Sequence, residues 1–482
     1  MGASENGSRD VVVIGGGMIG TCAAMLLARD GHRVTVLERD PAPPAPAEEA
    51  WEQWERRGVN QFRQLHLLLP RFRSAAEAEL PDLVPALVDG GALNWNLLEQ
   101  VPAELTGGRR EEDGRFDMVT GRRPVLEAVV ARLAESTPGV TIRRGVVVGS
   151  LLASSQSQDG IVHVCGVVTA DGESIPAELV VDAGGRRSAL PDLLCAIGAP
   201  GPREERADCG FVYYGRHFRS DDGQLPAVFG PLLQPYDGMS ILTLPCDRGT
   251  WGVGLVASGR DPALRALVDR DVWDAVLGAF PLAAHWGQGE PITDVQVMAK
   301  IEDRQRHLVI DGRPLATGVV AVGDAWACTN PSVGRGITIG LLHAVALRDL
   351  LREVPTADEI GVVRGWHELT MERVAPLVED TLAFDRHRLA QIDAQIAGHS
   401  YETDDPAWAL GLALAASASR DRNQFRHYLD VVSLNARGVD VLARPGVIDK
   451  TLELGAPAPL PGPSRAEVLE LVATATYAPH DE

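Results

Sequence analysis

A glycine-rich segment near the beginning of this chain limits its fold more than any other feature. Residues 11–14 (VVVI) are apolar and mostly β-branched, as in a strand buried on both faces of a parallel sheet. The six residues GGGMIG at 15–20 follow with the spacing G-x-G-x-x-G. A helix-like segment at 21–30 and an alternating segment at 33–38 come next. This order predicts a βαβ unit in which the glycine turn joins the first strand to the helix.

The glycine segment has the chemistry of a dinucleotide site. Gly15 allows a tight turn, the missing side chain of Gly17 admits a pyrophosphate, and Gly20 lets the helix pack near the strand. Backbone N–H groups at the start of the helix then face the phosphates. Glu38, at the end of the second strand, can accept hydrogen bonds from an adenosine ribose. The alternative is a tight turn without a ligand, which leaves Glu38 unexplained.

Charge and composition disfavour several other classes of function. The 482 residues carry 45 Lys plus Arg against 66 Asp plus Glu, and the net charge of −21 argues against nucleic acid or anionic membranes as partners. The six cysteines lie far apart and the histidines do not cluster, so no metal site is predicted. Residues 1–10 are polar, and the apolar stretch at 407–416 is too short to cross a bilayer. We therefore expect a cytoplasmic protein without an integral membrane segment.

A second motif follows about three hundred residues later. The apolar residues 319–322 precede Gly323 and Asp324, and a P-x-x-G-x-G turn at 331–336 leads into a long helix. The positive end of a helix stabilises the negative charge that a reduced flavin carries on its pyrimidine ring. With the first motif, these residues resemble the FAD-dependent monooxygenases of the aromatic-hydroxylase and epoxidase superfamily.

A third segment, 180–188 (VVDAGGRRS), is similar to the D-x-x-G-x-x-S segment of that superfamily, in the branch of actinobacterial epoxidases related to squalene epoxidase. It departs from the Asp-Gly form of the aromatic hydroxylases, which leaves the docking mode of NAD(P)H open. Residues 57–66 and 122–127 also resemble this branch. Related halogenases need a lysine early in the chain, and no lysine precedes Lys300, so halogenation is not expected.

The resemblance implies a fold and a set of cofactor contacts. The fold is α/β: a Rossmann-like FAD-binding domain of the glutathione-reductase type, an inserted sheet-containing substrate domain, and C-terminal helices. The FAD-binding domain would comprise 8–70, 101–190 and 300–350, the substrate domain 71–100 and 191–299, and the helical region 351–482. The residues expected to contact FAD are Gly15, Gly17, Met18, Ile19, Gly20, Glu38, Arg39, Arg57, Gln61, Arg123, Val147 (through its backbone), Asp182, Ala183, Gly184, Gly323, Asp324, Pro331, Gly334, Gly336 and Ile337.

The sequence constrains the substrate side less. Residues 211–218 and 238–257 alternate as strands of an antiparallel sheet do. We assign His66 and Tyr214 to hydrogen bonds near the flavin or the substrate, and Tyr236 and Trp326 to the substrate cavity. The alternatives stay open: Arg123 as a helix-start arginine paired to an acid, His66 as an ordinary polar contact, and Trp326 as a packing residue.

By the same resemblance, the expected activity is that of a single-component monooxygenase. NADPH or NADH would reduce FAD, O2 would add to form a C4a-hydroperoxide, and one oxygen atom would hydroxylate or epoxidise an apolar or aromatic natural-product-like substrate. No second dinucleotide fold is evident, so the nicotinamide cofactor is expected to bind transiently. Two alternatives are an FAD-dependent reductase or dehydrogenase acting on isoprenoid double bonds, and a flavin-binding protein without turnover. Substrate identity and oligomeric state, with a homodimer among the options, stay open.

Overall fold

The computed structural model describes residues 7–59, 61–154, 160–456 and 458–476. Residue 60 of the 57–66 segment, most of the polar stretch 1–10 and the last six residues of the predicted helical region lie outside the described residues.

The strands are β1 (Asp10–Ile14), β2 (Arg33–Glu38), β3 (Leu93–Asn96), β4 (Asp117–Thr120), β5 (Val140–Arg144), β6 (Val148–Ala153), β7 (Val162–Thr169), β8 (Ser174–Pro176), β9 (Leu179–Asp182), β10 (Arg203–Asp208), β11 (Phe211–Arg219), β12 (Leu233–Tyr236), β13 (Met239–Pro245), β14 (Thr250–Ser258), β15 (Glu290–Pro291), β16 (Gln296–Met298), β17 (Glu302–His307), β18 (Val309–Ile310), β19 (Arg313–Pro314), β20 (Ala316–Thr317), β21 (Val319–Ala321) and β22 (Ala327–Cys328).

The helices are α1 (Met18–Arg29), α2 (Ala50–Gln53), α3 (Pro70–Glu79), α4 (Leu83–Asp89), α5 (Ala103–Thr106), α6 (Arg123–Ser136), α7 (Leu190–Ala196), α8 (Arg270–Gly278), α9 (Gly336–Glu353), α10 (Glu359–Arg373), α11 (Ala375–Ile396), α12 (Pro406–Ala418), α13 (Arg422–Val432), α14 (Gly438–Leu442), α15 (Val447–Leu454) and α16 (Arg465–Thr476).

A five-stranded parallel sheet carries the cofactor motifs. Its strand order is β21, β9, β1, β2, β5, and every neighbouring pair is parallel. Because the strands run in one direction, their carboxyl ends meet at one edge, where α/β sheets bind ligands. Gly15, Glu38, Asp182 and Gly323 each stand at or just beyond such an end. The predicted Rossmann-like α/β fold is confirmed.

Helices α3 and α4 correct one predicted domain boundary. Residues 71–100 were expected in the substrate domain, yet Phe72 and Leu83 are fully buried in one hydrophobic cluster with residues of α1, α6 and α9. These helices therefore complete the core beside the parallel sheet. In the sequence, α3 and α4 lie between segments assigned to the FAD-binding domain. Only the packing shows that their apolar faces join the core of that domain.

The second sheet is antiparallel, with strand order β12, β13, β14, β11, β15, and β16 also pairs with β11. Successive side chains of β11 face opposite sides of the sheet. Tyr214 packs in the cluster that includes residues of α8 and α16, whereas Tyr213 packs in the cluster that includes residues of α11. Gly252 and Gly254 lie within β14, where the side chain of Leu65 fills the space that a Cβ would take. Their G-x-G spacing is therefore a packing feature of a strand.

The C-terminal part of the chain is helical from α10 to α16. Leu389 and Ile392 of α11 pack against one face of the second sheet, and Ala375 and Val378 of the same helix lie in a hydrophobic cluster with β9 and β21, so α11 joins the cores beside both sheets. Across the described ranges, no helix combines the length and the apolar character needed to cross a bilayer.

Candidate active site

One continuous cavity of about 2320 Å³ runs from the glycine turn, past the edge of the second sheet, to the C-terminal helices. A cavity for a drug-sized ligand has a volume of about 300–1,000 Å³. This cavity is therefore large enough for a dinucleotide cofactor and a second molecule.

The three motif glycines at the first turn have distinct surroundings. Gly15 adopts φ +102°, and a Cβ there would lie 2.6 Å from the carbonyl oxygen of Ala183. A Cβ on Gly20 would overlap the carbonyl oxygen of Gly15. At Gly17, the N-cap of α1, the nearest atom to such a Cβ is Arg56 Nη1 at 3.9 Å. Gly15 and Gly20 are thus required by the protein itself, while Gly17 leaves open space at the helix N-terminus, where a phosphate binds most readily.

Glu38 lies at the edge of the cavity and is held by the turn beside it. Its Oε2 accepts from the Gly16 N–H at 2.7 Å and from Arg56 Nη2 at 2.5 Å, and its Oε1 accepts from the Asp40 N–H at 2.9 Å. Arg56 also donates to Glu127 at 2.6 Å, so it joins two buried carboxylates.

Arg56 is a site residue that the sequence analysis missed. Arg57 was expected to touch FAD, but it is exposed and lies outside the cavity lining, whereas Arg56 is buried and lines it. The prediction was displaced by one residue because two consecutive arginines lie in an irregular segment, which has no periodicity to indicate which side chain points inward.

The remaining contacts predicted at the adenosine end lie around the cavity mouth. Gln61 and Arg39 line the cavity, and Arg39 Nη2 donates to the Gly58 carbonyl at 3.0 Å. Val147 also lines it and is half exposed, but its carbonyl already accepts from the Ala170 N–H at 2.8 Å. One lone pair of this carbonyl is therefore used by the protein, and its second lone pair and the amide side of Val147 remain for a base.

Asp182 shapes the turn that forms one wall of the cavity. Its Oδ1 accepts from the Gly184 N–H at 2.9 Å, and its Oδ2 accepts from the Ser188 hydroxyl. Burial raises the pKa of this carboxyl, although these hydrogen bonds oppose the shift. Ala183 and Gly184 line the cavity. Each oxygen of Asp182 accepts one hydrogen bond from the protein, and these two bonds hold the turn in place.

Asp324 differs from Asp182 in its hydrogen bonding. Its carboxylate lines the cavity and makes no hydrogen bond with any residue that the structure describes. Burial raises its pKa, and the nearby charges of Arg123, Arg186 and Arg304 act against that shift. A half-buried carboxylate with unused acceptors fits a ligand that brings hydroxyl groups.

The turn after Asp324 presents a helix N-terminus to the same cavity. Gly323 and Gly334 adopt φ +57° and +65°, which favours glycine. Gly336 begins the 18-residue helix α9, and a Cβ there would meet nothing within 4 Å. Pro331 and Ile337 also line the cavity. The positive end of α9 is therefore open to a planar, electron-rich group.

The two motifs meet directly. Ile19 of the first motif lies against Gly323 and Gly340: a Cβ on Gly323 would be 3.4 Å from Ile19 Cγ2, and one on Gly340 would be 2.7 Å from Ile19 Cγ1. Met18 and Ile19 both line the cavity. Gly323 of the second motif and Gly340 of α9 thus let α1 and α9 approach closely.

His66 is half-buried and lies between two partners that fix its charge. Its Nδ1 lies 2.9 Å from the Gln64 carbonyl oxygen and its Nε2 lies 3.1 Å from Arg123 Nη1. Since the guanidinium can only donate, Nε2 is the acceptor and Nδ1 carries the proton. Burial and then Arg123 lower the pKa of His66 to about 3. A neutral histidine with both nitrogens engaged orients Arg123, which also donates to Glu127 at 2.6 Å.

The predicted role of Tyr214 is contradicted by the strand register. Tyr214 faces away from the cavity, and its neighbour Tyr213 lines it and donates to Asn330 Oδ1 at 2.7 Å. The alternation of β11 separates the two tyrosines, and the sequence alone does not indicate which face of the sheet meets the cofactor side.

Tyr236 and Trp326 both line the cavity. The Tyr236 hydroxyl donates to Gln234 Oε1 at 2.7 Å, and its ring packs on Phe280 with centroids 4.4 Å apart. Trp326 packs edge-on to His343 at 5.0 Å. Each therefore combines a packing role with a wall of the cavity.

A buried polar group beneath the second motif also escaped sequence analysis. We call Tyr213, Asn330, Ser332 and Asp385 the Asp385 cluster. Asp385 Oδ1 accepts from Asn330 Nδ2 at 3.1 Å and from Ser332 Oγ at 2.6 Å, while its Oδ2 is buried without a partner in the described chain. Burial raises the pKa of Asp385 to about 7. The members come from three distant segments, and no local pattern links them.

Comparisons with known proteins agree with this geometry. The family model of FAD-dependent oxidoreductases (DAO) matches residues 10–49. Protein Rv3254 of Mycobacterium tuberculosis is 30% identical over 380 residues, covering 73% of this chain and 74% of that protein. Kynurenine 3-monooxygenase of Salinispora tropica is 29% identical over 356 residues, covering 72% and 73%. The solved structure of p-nitrophenol 4-monooxygenase PnpA from Pseudomonas putida shares the fold, with a TM-score of 0.57 at 19% identity over 89% of this chain and 99% of that one.

Proposed function

This chain belongs to the family of FAD-dependent monooxygenases, and on that premise we propose that it transfers one oxygen atom from O2 to a large, mainly apolar or aromatic small molecule, with NAD(P)H as the reductant. The transfer is a hydroxylation or an epoxidation.

The observation that carries this proposal is the contact between the two motifs. Ile19 packs against Gly323 and Gly340, so the glycine turn and the N-terminus of α9 open onto one cavity although they are about three hundred residues apart in the chain. A ligand long enough to touch both is a dinucleotide with a planar ring at its far end, and FAD has that form.

The residues present fit FAD along its length. The open N-cap at Gly17 would receive the pyrophosphate, Glu38 would accept from the adenosine ribose, and the free carboxylate of Asp324 would accept from the ribityl chain. The N-terminus of α9 would face the pyrimidine edge of the flavin. When bound, FAD supplies the electron transfer from NAD(P)H and the activation of O2.

The chain's own residues orient the substrate and exclude water. Leu242, Val256 and Phe384 give the far part of the cavity an apolar lining, which keeps a reactive cofactor away from bulk solvent. Arg123 is held by His66 and Glu127 and adds a fixed positive charge near Asp324. His66 remains neutral, so we assign it the role of positioning Arg123 rather than of moving a proton.

The test is an incubation of the FAD-loaded enzyme with NADPH or NADH, 18O2 and a library of polycyclic, aromatic and isoprenoid compounds. The proposal predicts a product heavier by one 18O atom and O2 consumption that depends on the substrate. A product that gains or loses two hydrogens without oxygen identifies a reductase or dehydrogenase instead. A bound flavin that no nicotinamide cofactor reduces, with any compound present, identifies a binding protein without turnover. The oligomeric state is a separate question: that the chain forms a homodimer remains a prediction, and light scattering would test it.

A further inference from the structure

The far part of the cavity contains a buried cation without a carboxylate partner. Arg388 of α11 is only 5% exposed and lines the cavity. Its Nη2 donates to the carbonyl oxygens of Tyr236 at 2.9 Å and Met239 at 2.6 Å. It forms no ion pair with any described residue; Asp237 is the acid that acts on its charge, and it lies beyond ion-pair distance. Burial lowers the pKa of Arg388 to about 10, so it remains charged at neutral pH.

The contacts of Arg388 determine how two neighbouring side chains are oriented. Its Nε and Nη2 both donate to Ser240 Oγ at 3.1 Å, and its Nη1 donates to Gln391 Oε1 at 2.6 Å. A guanidinium has no acceptor, so Ser240 and Gln391 must accept from it. The Ser240 hydroxyl hydrogen and the Gln391 NH2 group are therefore directed elsewhere, and neither has an acceptor in the described part of the chain.

Three donor groups of this site therefore have no acceptor in the described chain. One N–H of Arg388 Nη1, the hydroxyl of Ser240 and the amide NH2 of Gln391 are all donors, and all three residues line the cavity. The acceptors of the group are already used by Arg388. The adjacent His387 is not open to such a ligand, because its Nε2 lies 2.9 Å from Asp405 Oδ2 and its Nδ1 lies 2.8 Å from the Tyr401 hydroxyl. A ligand group that suits this cluster must accept several hydrogen bonds and carry negative charge.

Building on the proposed function, we propose that Ser240, Arg388 and Gln391 form a specificity site that binds a carboxylate at the polar end of the substrate. Leu242, Val256 and Phe384 line the same part of the cavity. The substrate class is therefore a large apolar molecule with one carboxylate, held by that group while its apolar body extends toward the cofactor end.

The test uses three ligands that share one apolar chain and differ in head-group charge: dodecanoate, dodecan-1-ol and dodecyltrimethylammonium, each below its micellar concentration. They are titrated calorimetrically into protein supplied with FAD, and FAD binding is recorded separately from the flavin absorbance. A charge-assisted hydrogen bond predicts that dodecanoate binds at least about tenfold more tightly than dodecan-1-ol, and that the cation binds least.

Two variants and a control make the test specific. R388M removes the charge. Q391E keeps an acceptor for Arg388 and adds a carboxylate where that of the substrate would lie. Arg388 can therefore still donate to the Tyr236 and Met239 carbonyls of the hairpin between β12 and β13, but its site for a ligand carboxylate is filled. Both are expected to abolish the preference for dodecanoate. R270M removes an exposed arginine of α8 and should leave the preference unchanged.

Equal binding of dodecanoate and dodecan-1-ol by the wild type would overturn the proposal, as would a preference that persists in both R388M and Q391E. Binding of none of the three ligands to protein that holds FAD would also overturn it, while the monooxygenase assignment would stand. A protein that takes up no FAD contradicts the proposed function instead, and its head-group preference is still measured in the same titration.

Discussion

The cavity has a cofactor end and a substrate end, and different parts of the chain form each of them. At the cofactor end, the contacts depend on backbone conformation and on missing side chains, as at Gly15, Gly17 and Gly334. At the substrate end, they depend on which face of a strand or helix carries a side chain, as for Tyr213 and Arg388. The first arrangement is encoded in short sequence motifs, whereas the second depends on the register of the sheet.

The largest expected effect is a loss of FAD affinity when a side chain fills the open space at the cofactor end. Gly17→Leu fills a volume in which the protein has no atom closer than 3.9 Å to the new Cβ, so the fold should tolerate it. The pyrophosphate should be excluded, and FAD affinity should fall by at least about 100-fold, or roughly 2.7 kcal/mol. Flavin fluorescence titration measures the loss, and the melting temperature of the apoprotein should be unchanged.

A matched control for that variant is Gly278→Leu at the end of α8, where a Cβ also meets nothing within 4 Å. It should bind FAD as the wild type does. Normal FAD affinity in Gly17→Leu would contradict the assignment of the first turn.

Asp182 and Asp324, two acidic residues of the cofactor end, should respond differently to substitution. Asp324→Ala removes a carboxylate that no described residue bonds, so it should weaken FAD binding about tenfold or more and leave the apoprotein as stable as before. Asp182→Ala removes the acceptor of Gly184 and Ser188 and should lower the free energy of unfolding by about 1–3 kcal/mol. Denaturant unfolding of both apoproteins, with FAD titration alongside, measures the contrast. Equal losses of stability would refute the distinction.

The Asp385 cluster predicts a pH dependence at the boundary between the two ends. The raised pKa of Asp385, about 7 in the folded state, means that the folded protein binds a proton which the unfolded chain releases near pH 4. The contribution of Asp385 to the free energy of unfolding is thus fully present at low pH and is lost as the pH rises to about 7. Between pH 5.5 and 7.5 the wild type should lose about 2 kcal/mol more than Asp385→Asn, which does not ionise.

Asp303 also lies in this region, with its pKa raised by burial to about 6, and Arg335 adds a nearby positive charge. Both are present in the wild type and in Asp385→Asn, so the comparison measures the titration of Asp385 together with its coupling to Asp303 and Arg335. Identical pH profiles for the two proteins would show that Asp385 is ionised throughout.

The smallest expected effect is a difference in kcat/KM between phenylalanine variants of the two adjacent tyrosines of β11. Tyr213→Phe removes the hydrogen bond to Asn330 beneath the second motif and should lower kcat/KM about fivefold, equivalent to about 1 kcal/mol. Tyr214→Phe changes a side chain that faces away from the cavity and should have no effect on kcat/KM. If Tyr214→Phe were the more damaging change, the register of β11 described above would be wrong.

These contrasts show what the sequence could predict. The strands at 11–14, 33–38 and 319–322 and the glycines between strand and helix are local features, and they were sufficient to predict the Rossmann-like fold and the position of Asp324. Arg56 in place of Arg57, and Tyr213 in place of Tyr214, are errors of one residue. They arise because the inward direction of a side chain depends on what packs against the segment.

Other features depend on contacts between distant segments. The packing of α3 and α4 with α1, α6 and α9, and the meeting of Asn330 with Asp385 across 55 residues, leave no periodic signal in the sequence. The open donors around Arg388 follow from its hydrogen bonds to residues of β12, β13 and α11. Such sites become visible only when the hydrogen bonds of each buried group are counted.

The most direct measurement of the central claim, that two distant motifs hold one FAD, is an equilibrium titration of the purified chain with FAD, followed by quenching of flavin fluorescence and by absorbance near 450 nm. The account predicts saturation at one FAD per chain in the wild type and in Gly278→Leu, and loss of binding in Gly17→Leu. A wild-type chain that stays colourless and leaves the fluorescence of added FAD unchanged would contradict it.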